Sequence, residues 1–210
     1  MNKNKTHSIS FYVCMLYFLG LFLKRAYFSQ ILDSSVYWKH LSLDMGKVMK
    51  GELWRLLSFV IYPPGKTTLW SIIIIVFIWI LGKNVEDITG RKSFLMYYLF
   101  SVFFQILSAF IVYCVNHSVL WLNLSFWGWT LIPLLARLEP ERKVWLLTPF
   151  AMKAKNLLIL FLTVLIPTFL LRDPTARLGI ILQICPMFFV LALISIKRIK
   201  RIDMEGAETQ

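Results

Sequence analysis

Five stretches without a charged residue dominate the chain, and their lengths constrain its fold more than any other feature. They run from Thr6 to Leu23, Thr67 to Gly82, Ser93 to Ala136, Asn156 to Leu171 and Leu178 to Ile196. A membrane-spanning helix needs about 20 apolar residues, with about 17 as the lower limit. The 44 residues from Ser93 to Ala136 therefore form two spans, which we expect to be joined by a short turn near Asn116, His117 and Ser118. The sequence predicts an all-α membrane protein with six transmembrane helices.

Composition supports a membrane protein and disfavours nucleic-acid binding. Of the 210 residues, 58% are hydrophobic and 16% are charged, which is too apolar for an ordinary soluble domain of this length. The 23 lysines and arginines outnumber the 11 acidic residues, but they punctuate apolar stretches rather than cluster on a polar surface. Such bases indicate membrane orientation and contact with anionic lipid headgroups. The three cysteines lack a CxxC spacing, and we expect no metal or cofactor.

The distribution of the bases predicts the orientation of the chain. Six spans place both termini on one side, and that side collects fourteen lysines and arginines against nine on the other. The termini should therefore be cytoplasmic. We expect residues 1–210 to form one integral membrane domain, with 33–66 as an extracytoplasmic interfacial loop and 197–210 as a basic cytoplasmic tail. We expect a bacterial cell membrane, with the endoplasmic reticulum membrane as the alternative.

Three segments carry a resemblance to a known family. "GELWRLLSF" (51–59), "LGKNVEDITGRKSFLMYYL" (81–99) and "RLEPERKVWLLTPFAMKAKNL" (137–157) follow one another as similar stretches do in the rhomboid superfamily. The resemblance covers most of a six-helix core. It implies a six-helix rhomboid-like bundle, whose active members are intramembrane serine proteases.

The residues that such a protease needs are missing from this chain. The family has a Gly-x-Ser-Gly nucleophile on the fourth span, a His base on the sixth, and a His and an Asn on the second. The second-span positions fall at Trp70 and Ile74, and the sixth span contains no histidine. Ser125 is the counterpart of the nucleophile, but Asn123 and Phe126 replace its flanking glycines. Because a serine hydroxyl needs a base to become a nucleophile, we predict a pseudoprotease. The alternative is a cryptic serine protease that uses Ser125.

Within the superfamily, the short tails and the lost dyad look most like the derlins and related inactive proteins. The resemblance implies a non-catalytic protein that binds membrane-protein clients or their transmembrane helices, in quality control or dislocation. Membrane lipids are the other expected partners, and a lipid-interacting scaffold is an alternative. A small transporter would need paired charges at depth or an inverted repeat. Neither is visible in the sequence.

Two residue pairs at the ends of spans are expected to be structural. Trp54 and Arg55 should anchor the first loop in the membrane interface, Trp54 through its amphipathic ring and Arg55 through phosphate or loop-carbonyl bonds. Glu86 should face loop amides or Arg91 and fix the turn into the third span. Gly90 should supply the turn conformation.

Polar side chains within the spans are the candidate client contacts, because exposing them to lipid is costly. They are Gln105, Ser108, Asn123, Ser125 and Gln183, and Trp70 joins them at the start of the second span. Packing between helices is an equal alternative for these residues.

Two of the uncharged stretches are unusually short. Thr67 to Gly82 and Asn156 to Leu171 have 16 residues each, about 24 Å of helix against a hydrocarbon core of about 30 Å. We hypothesise that such helices thin the bilayer beside a client. The alternative is that neighbouring apolar residues and lysine stems extend the spans.

Overall fold

The computed structural model describes residues 8–28, 41–62, 68–117, 125–145 and 151–207, and these residues are mostly helical. The described helices, in chain order, are α1 (Ile9–Phe28), α2 (Met45–Val48), α3 (Arg55–Ile61), α4 (Thr68–Thr89), α5 (Arg91–Asn116), α6 (Ser125–Leu138), α7 (Ala154–Leu170) and α8 (Pro174–Ala207). Two short strands, β1 (Lys143–Trp145) and β2 (Ala151–Lys153), lie between α6 and α7.

Two of the described helices, Thr68–Thr89 and Arg91–Val115, are long and apolar enough to cross a membrane. Shorter apolar helices are Ile9–Leu23, Ala154–Leu170 and Arg177–Ala192. The length and composition of these helices favour a membrane protein. The helical fold class is thus confirmed.

The long uncharged stretch is broken where the sequence predicted. Helix α5 ends at Asn116, and His117 adopts the left-handed conformation with φ 47°. The backbone N–H of His117 donates to the carbonyl of Tyr113 at 2.9 Å, which closes the last turn. The next described helix begins at Ser125.

Between α6 and α7 the chain forms a short hairpin that the sequence did not predict. Strands β1 and β2 pair antiparallel, with Val144 opposite Met152. The Val144 side chain is fully buried, so the hairpin is folded against the helices rather than free in solution. A β-branched residue flanked by exposed neighbours suits such a half-buried strand. The sequence reading missed it because each strand has only three residues.

Beyond the last uncharged stretch, the chain stays helical. The predicted tail begins at residue 197, yet α8 continues without interruption to Ala207. No glycine or proline stands between Lys197 and Met204 to end the helix.

Helix α6 lies at the inside of the bundle. Leu131, Leu134 and Leu135 are fully buried. Trp127 near its start is surrounded by aromatic rings of α5, with centroids 5.1 Å away at Tyr98, 6.0 Å at Phe94 and 6.3 Å at Tyr97. The Tyr97 hydroxyl is also hydrogen-bonded to Thr130. This aromatic cluster fixes α6 against α5.

Two close helix crossings require glycine. A Cβ atom built on Gly128 of α6 would lie 2.4 Å from Ile78 Cγ1 of α4. A Cβ atom on Gly20 of α1 would lie 2.0 Å from the carbonyl oxygen of Ile61, at the end of α3. Because real Cβ atoms do not approach so closely, these positions set how near α4 lies to α6 and α3 to α1.

Candidate functional site

Arg55 joins two parts of the first loop from a fully buried position. Its Nη1 donates to the backbone carbonyl of Ser42 at 3.1 Å, and its Nε donates to Glu52 Oε2 at 2.6 Å. Ser58 reinforces the connection, because its hydroxyl donates to the carbonyl of Leu41 at 3.1 Å. Among the described residues, Arg55 therefore binds protein groups within the loop. Trp54, the preceding residue, is 55% exposed.

Of the two partners expected for Glu86, the structure shows backbone amides and not Arg91, but the amides belong to the start of α1 rather than to a loop. The Glu86 carboxylate accepts from Ile9 N at 2.9 Å, Ser10 N at 3.1 Å and Ser10 Oγ at 2.9 Å. The first N–H groups of a helix lack partners within that helix and attract negative charge. A Cβ atom on Gly82, one turn earlier, would lie 2.9 Å from Ser10 Oγ, so glycine lets the two helices approach.

Gly90 separates α4 from α5 by a single residue. Its φ is 80°, a backbone conformation that favours glycine. Arg91, which follows it, is exposed.

Three predicted client contacts lie on α5 and α8, two helices that pack against each other. Gln105, Ser108 and Gln183 are all buried. The Ser108 hydroxyl donates to the carbonyl of Gly179 at 3.3 Å. This position favours the packing role that the sequence had left equally open.

The other predicted residues are placed as follows. Trp70 lies on the first turn of α4 and is 56% exposed. Ser125 is the first residue of α6, but its side chain is not among those that the structure describes. Asn123 lies outside the described residues.

An apolar groove of about 480 Å³ opens between α4, α6 and α7. Helix α4 contributes Phe77, α6 contributes Trp129 and Ile132, and α7 contributes Leu157, Leu160, Phe161, Val164, Leu165 and Thr168. The Trp129 ring forms its base, with its centroid 5.7 Å from Phe77 and 6.4 Å from Phe161, on which it stacks. The single hydroxyl of this lining, on Thr168, donates to the carbonyl of Val164 at 2.7 Å. The groove therefore offers mainly apolar contact, and the indole N–H of Trp129 is the other polar group of its lining side chains.

One wall of the groove is a helix that is only partly packed. Beyond Leu157, no described residue of α7 is buried. Leu157, Phe161, Val164 and Thr168 face the groove at spacings of four, three and four residues, the spacing by which one helix packs against another. This seam extends for about 16 Å at 1.5 Å per residue. Its first part packs on α6, where Leu157 is buried and Phe161 stacks on Trp129, whereas Val164 and Thr168 farther along are exposed.

The hairpin ties the two walls of the groove together at one end. Arg142 Nε donates to Asn84 Oδ1 of α4 at 2.8 Å. The carbonyl of the same Arg142 accepts from Ala154 N, the first residue of α7, at 2.9 Å. Lys155 N donates to the carbonyl of Pro140 at 3.1 Å. The start of α7 is therefore held at a fixed place beside α4.

The far end of α7 is connected to α8 by a short turn. Arg177 Nη2 donates to the carbonyl of Leu170 at 2.6 Å, and its Nε donates to the carbonyl of Arg172 at 2.8 Å. These bonds satisfy carbonyls at the end of α7 that have no partner within the helix.

Reasoning from the sequence missed the residues of the groove. It looked for polar side chains inside spans, whereas the groove is built from Phe77, Trp129 and the seam of α7. The seven-residue spacing from Leu157 to Val164 and from Phe161 to Thr168 was the available signal. Among the described residues, no group of three His, Cys, Asp or Glu side chains is placed to hold a metal ion.

Comparison of the chain with protein-family models, with curated proteins and with solved structures finds no match.

Proposed function

We propose that this protein is a non-catalytic, rhomboid-like membrane protein with six spans, which holds a transmembrane helix of a client protein in the groove between α4 and α7. On this proposal the spans are α1, α4, α5, α6, α7 and α8. Both termini lie on the cytoplasmic side, in a bacterial cell membrane.

The partly exposed seam on α7 carries the proposal. In lipid, helices associate mainly through van der Waals packing, because lipid tails are as apolar as the side chains. A helix with knobs at heptad spacing and a groove beside it presents the surface that such packing needs. The stacked rings of Trp129 and Phe161 give the groove a flat base for the side chains of a second helix.

The arrangement of chain ends supports the six-span topology. Helix α1 begins where α4 ends, since Glu86 binds the first amides of α1. Helix α7 also begins there, since Arg142 links its start to Asn84. The exposed bases Lys83, Arg91 and Arg137 lie at this same end, in agreement with a cytoplasmic side rich in Lys and Arg.

The absence of catalysis is proposed from the sequence. Ser125 begins α6, but the span that supplies the base in active rhomboids has no histidine. A serine without a base is a weak nucleophile. If the proposal is correct, S125A leaves client binding unchanged, and the wild type does not cleave a transmembrane substrate. Cleavage that is abolished by S125A would establish the cryptic protease instead.

A lipid-interacting scaffold is the second candidate, and the mainly apolar lining of the groove favours it. An acyl chain makes only apolar contacts, and it would fit a groove whose lone hydroxyl is already bonded within the helix. The two candidates differ in what occupies the groove in the cell.

Photocrosslinking in cells distinguishes the two candidates. A photoreactive residue is placed at Phe161 or Trp129 in the groove, and at Phe103 as a control, because Phe103 is 57% exposed on α5 and does not line the groove. We expect protein adducts from the groove positions at several times the yield from Phe103. Adducts with lipid alone would favour the scaffold.

A variant that fills the groove provides a second test of the proposal. Val164 is 64% exposed and faces the groove, so V164W adds volume without displacing a buried residue. We expect V164W to reduce protein adducts from Phe161 while thermal stability is retained. Ile159 is also 64% exposed and lies outside the groove lining, so I159W is the matched control and should have no effect. Equal effects of the two variants would contradict a role for the groove.

A further inference from the structure

The hairpin has an outward face with a distinct chemistry. Val144 points into the protein and is fully buried, while Lys143 and Trp145 on either side are exposed. Lys143 pairs with Lys153 and Trp145 with Ala151, and cross-strand partners share a face of a sheet. Lys143, Lys153 and Trp145 therefore form one surface, which we call the hairpin face.

The charges on the hairpin face are only partly compensated. Glu141 accepts from Lys153 Nζ at 2.7 Å and also from Lys155 Nζ. Arg142 is directed elsewhere, to Glu139 Oε2 at 2.9 Å and to Asn84. Among the described residues, the ammonium group of Lys143 forms no ion pair or hydrogen bond. Two lysines thus share the Glu141 carboxylate, whereas the charge of Lys143 lies opposite the like charge of Lys153, which is unfavourable unless a further anion lies nearby.

The level of the hairpin face along the helices identifies its surroundings. Arg142 binds Asn84, two residues after the uncharged stretch of α4 ends at Gly82. Strand β2 leads directly into α7, whose own uncharged stretch begins at Asn156. On the proposed membrane placement, the hairpin face lies where hydrocarbon gives way to headgroups. Trp145, which is 65% exposed there, has the amphipathic ring that is enriched at this depth.

We propose that the hairpin face binds the phosphate of an anionic lipid headgroup, with Lys143 and Lys153 as its ligands and Trp145 at the boundary between headgroup and acyl chain. The inference rests on the membrane placement of the proposed function, but not on what occupies the groove. Because β2 runs into α7 without an intervening residue, a lipid on this face also holds the base of the groove wall in place.

Lipid retention by the purified protein tests the proposal. The full chain in detergent is titrated with phosphatidylglycerol or phosphatidylcholine, and bound lipids are counted by native mass spectrometry. We expect the wild type to retain one phosphatidylglycerol more tightly than phosphatidylcholine. K143Q/K153Q should weaken this binding by roughly five-fold for each lysine, since each base near a membrane surface contributes about 1 kcal/mol.

A charge-matched variant controls for the overall field. Lys83 and Lys92 are exposed at the same end of the protein, outside the hairpin, so K83Q/K92Q removes equal charge. The proposal predicts that this variant binds phosphatidylglycerol as the wild type does. Equal losses in the two double variants, or no preference for phosphatidylglycerol in the wild type, would overturn it.

Fluorine NMR on protein labelled with fluorotryptophan locates the lipid. The resonance that is lost in W145F is that of residue 145, and it should shift with phosphatidylglycerol but not with glycerol phosphate, which has the phosphate without the acyl chain. A shift with both compounds would contradict a lipid site in favour of a soluble phosphate. Photocrosslinking from Phe161 reports on the groove and not on the hairpin face. If no client protein is captured there, the lipid-binding result for the hairpin face still stands.

Discussion

At the scale of single residues, the guanidinium of Arg55 is a charge that must be compensated inside the protein. It is fully buried, although Glu52, its ion-pair partner, is about one third exposed. A buried charge is tolerated only when it is paired and hydrogen-bonded. Here the pair also joins two parts of the loop, because Ser42 and Arg55 are 13 residues apart.

Replacing Arg55 should therefore destabilise the protein. R55A leaves the Ser42 carbonyl and the Glu52 carboxylate without their donor, and we expect a loss of about 1.5–3 kcal/mol in the free energy of unfolding. R55K retains the charge but not the fork of donors, so it should recover part of the loss. Thermal unfolding in detergent measures both. R137A, at an exposed arginine, is the control; unchanged stability of R55A together with lost client capture would make Arg55 a binding residue.

Glu86 makes a second prediction at this scale. E86A removes the acceptor of three donors at the start of α1, and we expect a loss of about 1–3 kcal/mol because buried donors are left unsatisfied. E86Q keeps one acceptor oxygen and should lose less. Hydrogen exchange at the amides of Ile9 and Ser10 should accelerate in E86A. D87A changes the exposed neighbour and should not affect these amides; the same acceleration there would contradict a specific contact.

At the scale of elements, part of the stability of the hairpin is electrostatic and depends on pH. Hydrogen bonds from Lys153 and then Lys155 lower the pKa of Glu141 from 4.5 to about 2. A depressed pKa in the folded state means that the stabilisation is present above pH 4.5 and is lost as the pH falls toward 2. The effect is small because the groups are exposed and screened by salt.

The corresponding variant is E141Q. Its melting temperature should lie slightly below that of the wild type at neutral pH, and the difference should disappear between pH 4.5 and 2 as Glu141 is protonated. E139Q, measured at the same pH values, is the control. It removes the neighbouring ion pair, which Glu139 forms with Arg142. A difference between wild type and E141Q that is constant down to pH 2 would show that the carboxylate is not the responsible group.

The elements also show which features the sequence can predict. The break after Asn116 followed from length alone, because 44 uncharged residues exceed one span. The hairpin could not be predicted from length or pattern, because three-residue strands are too short to show a period. Their formation depends on the burial of Val144 by helices that are distant in sequence. The partner of Glu86 was missed for a related reason: the local turn offered Arg91 nearby, whereas the observed donors are 76 and 77 residues away.

At the scale of the whole molecule, the lengths of the helices refine the hypothesis of a thinned bilayer. Helix α4 has 22 residues, about 33 Å, because it continues past Lys83 with Glu86 bound to α1. Helix α7 has 17 residues, about 26 Å against a hydrocarbon core of about 30 Å. Of these two helices, only α7 is shorter than the hydrocarbon core. It is also the wall of the groove, where a thinner bilayer would lower the cost of a polar client.

Vesicles of graded acyl-chain length test this. We expect thermal stability to be highest in bilayers thinner than about 30 Å and to fall as the chains lengthen. Four leucines inserted after Phe169, beyond the groove lining, should move the optimum to thicker bilayers. Inserting three residues after Ile75 of α4 would not be a clean test, because it would turn Ile78 and Glu86 by about 300° away from their partners. Indifference to thickness in both proteins would leave thinning without support.

The groove illustrates the limit of prediction at this scale. The sequence shows that α7 is apolar, but a lipid-facing stripe and a helix-binding seam have the same composition. What distinguishes them is the position of Trp129 beneath Phe161, which depends on how α6 crosses α4 at Gly128. Such a crossing is a property of three helices together, and no single segment encodes it.

The hydrogen bonds from the first amides of α1 to Glu86 also affect the order of events during synthesis. The amides of Ile9 and Ser10 leave the ribosome 76 or 77 residues before their acceptor, an interval of about 4 to 15 seconds at 5–20 residues per second. During that interval the start of α1 has no Glu86 to receive it. The first helix therefore acquires this contact only after the second long helix has been synthesised to its last turn, and a ribosome that stalls earlier leaves the first amides of α1 without their acceptor.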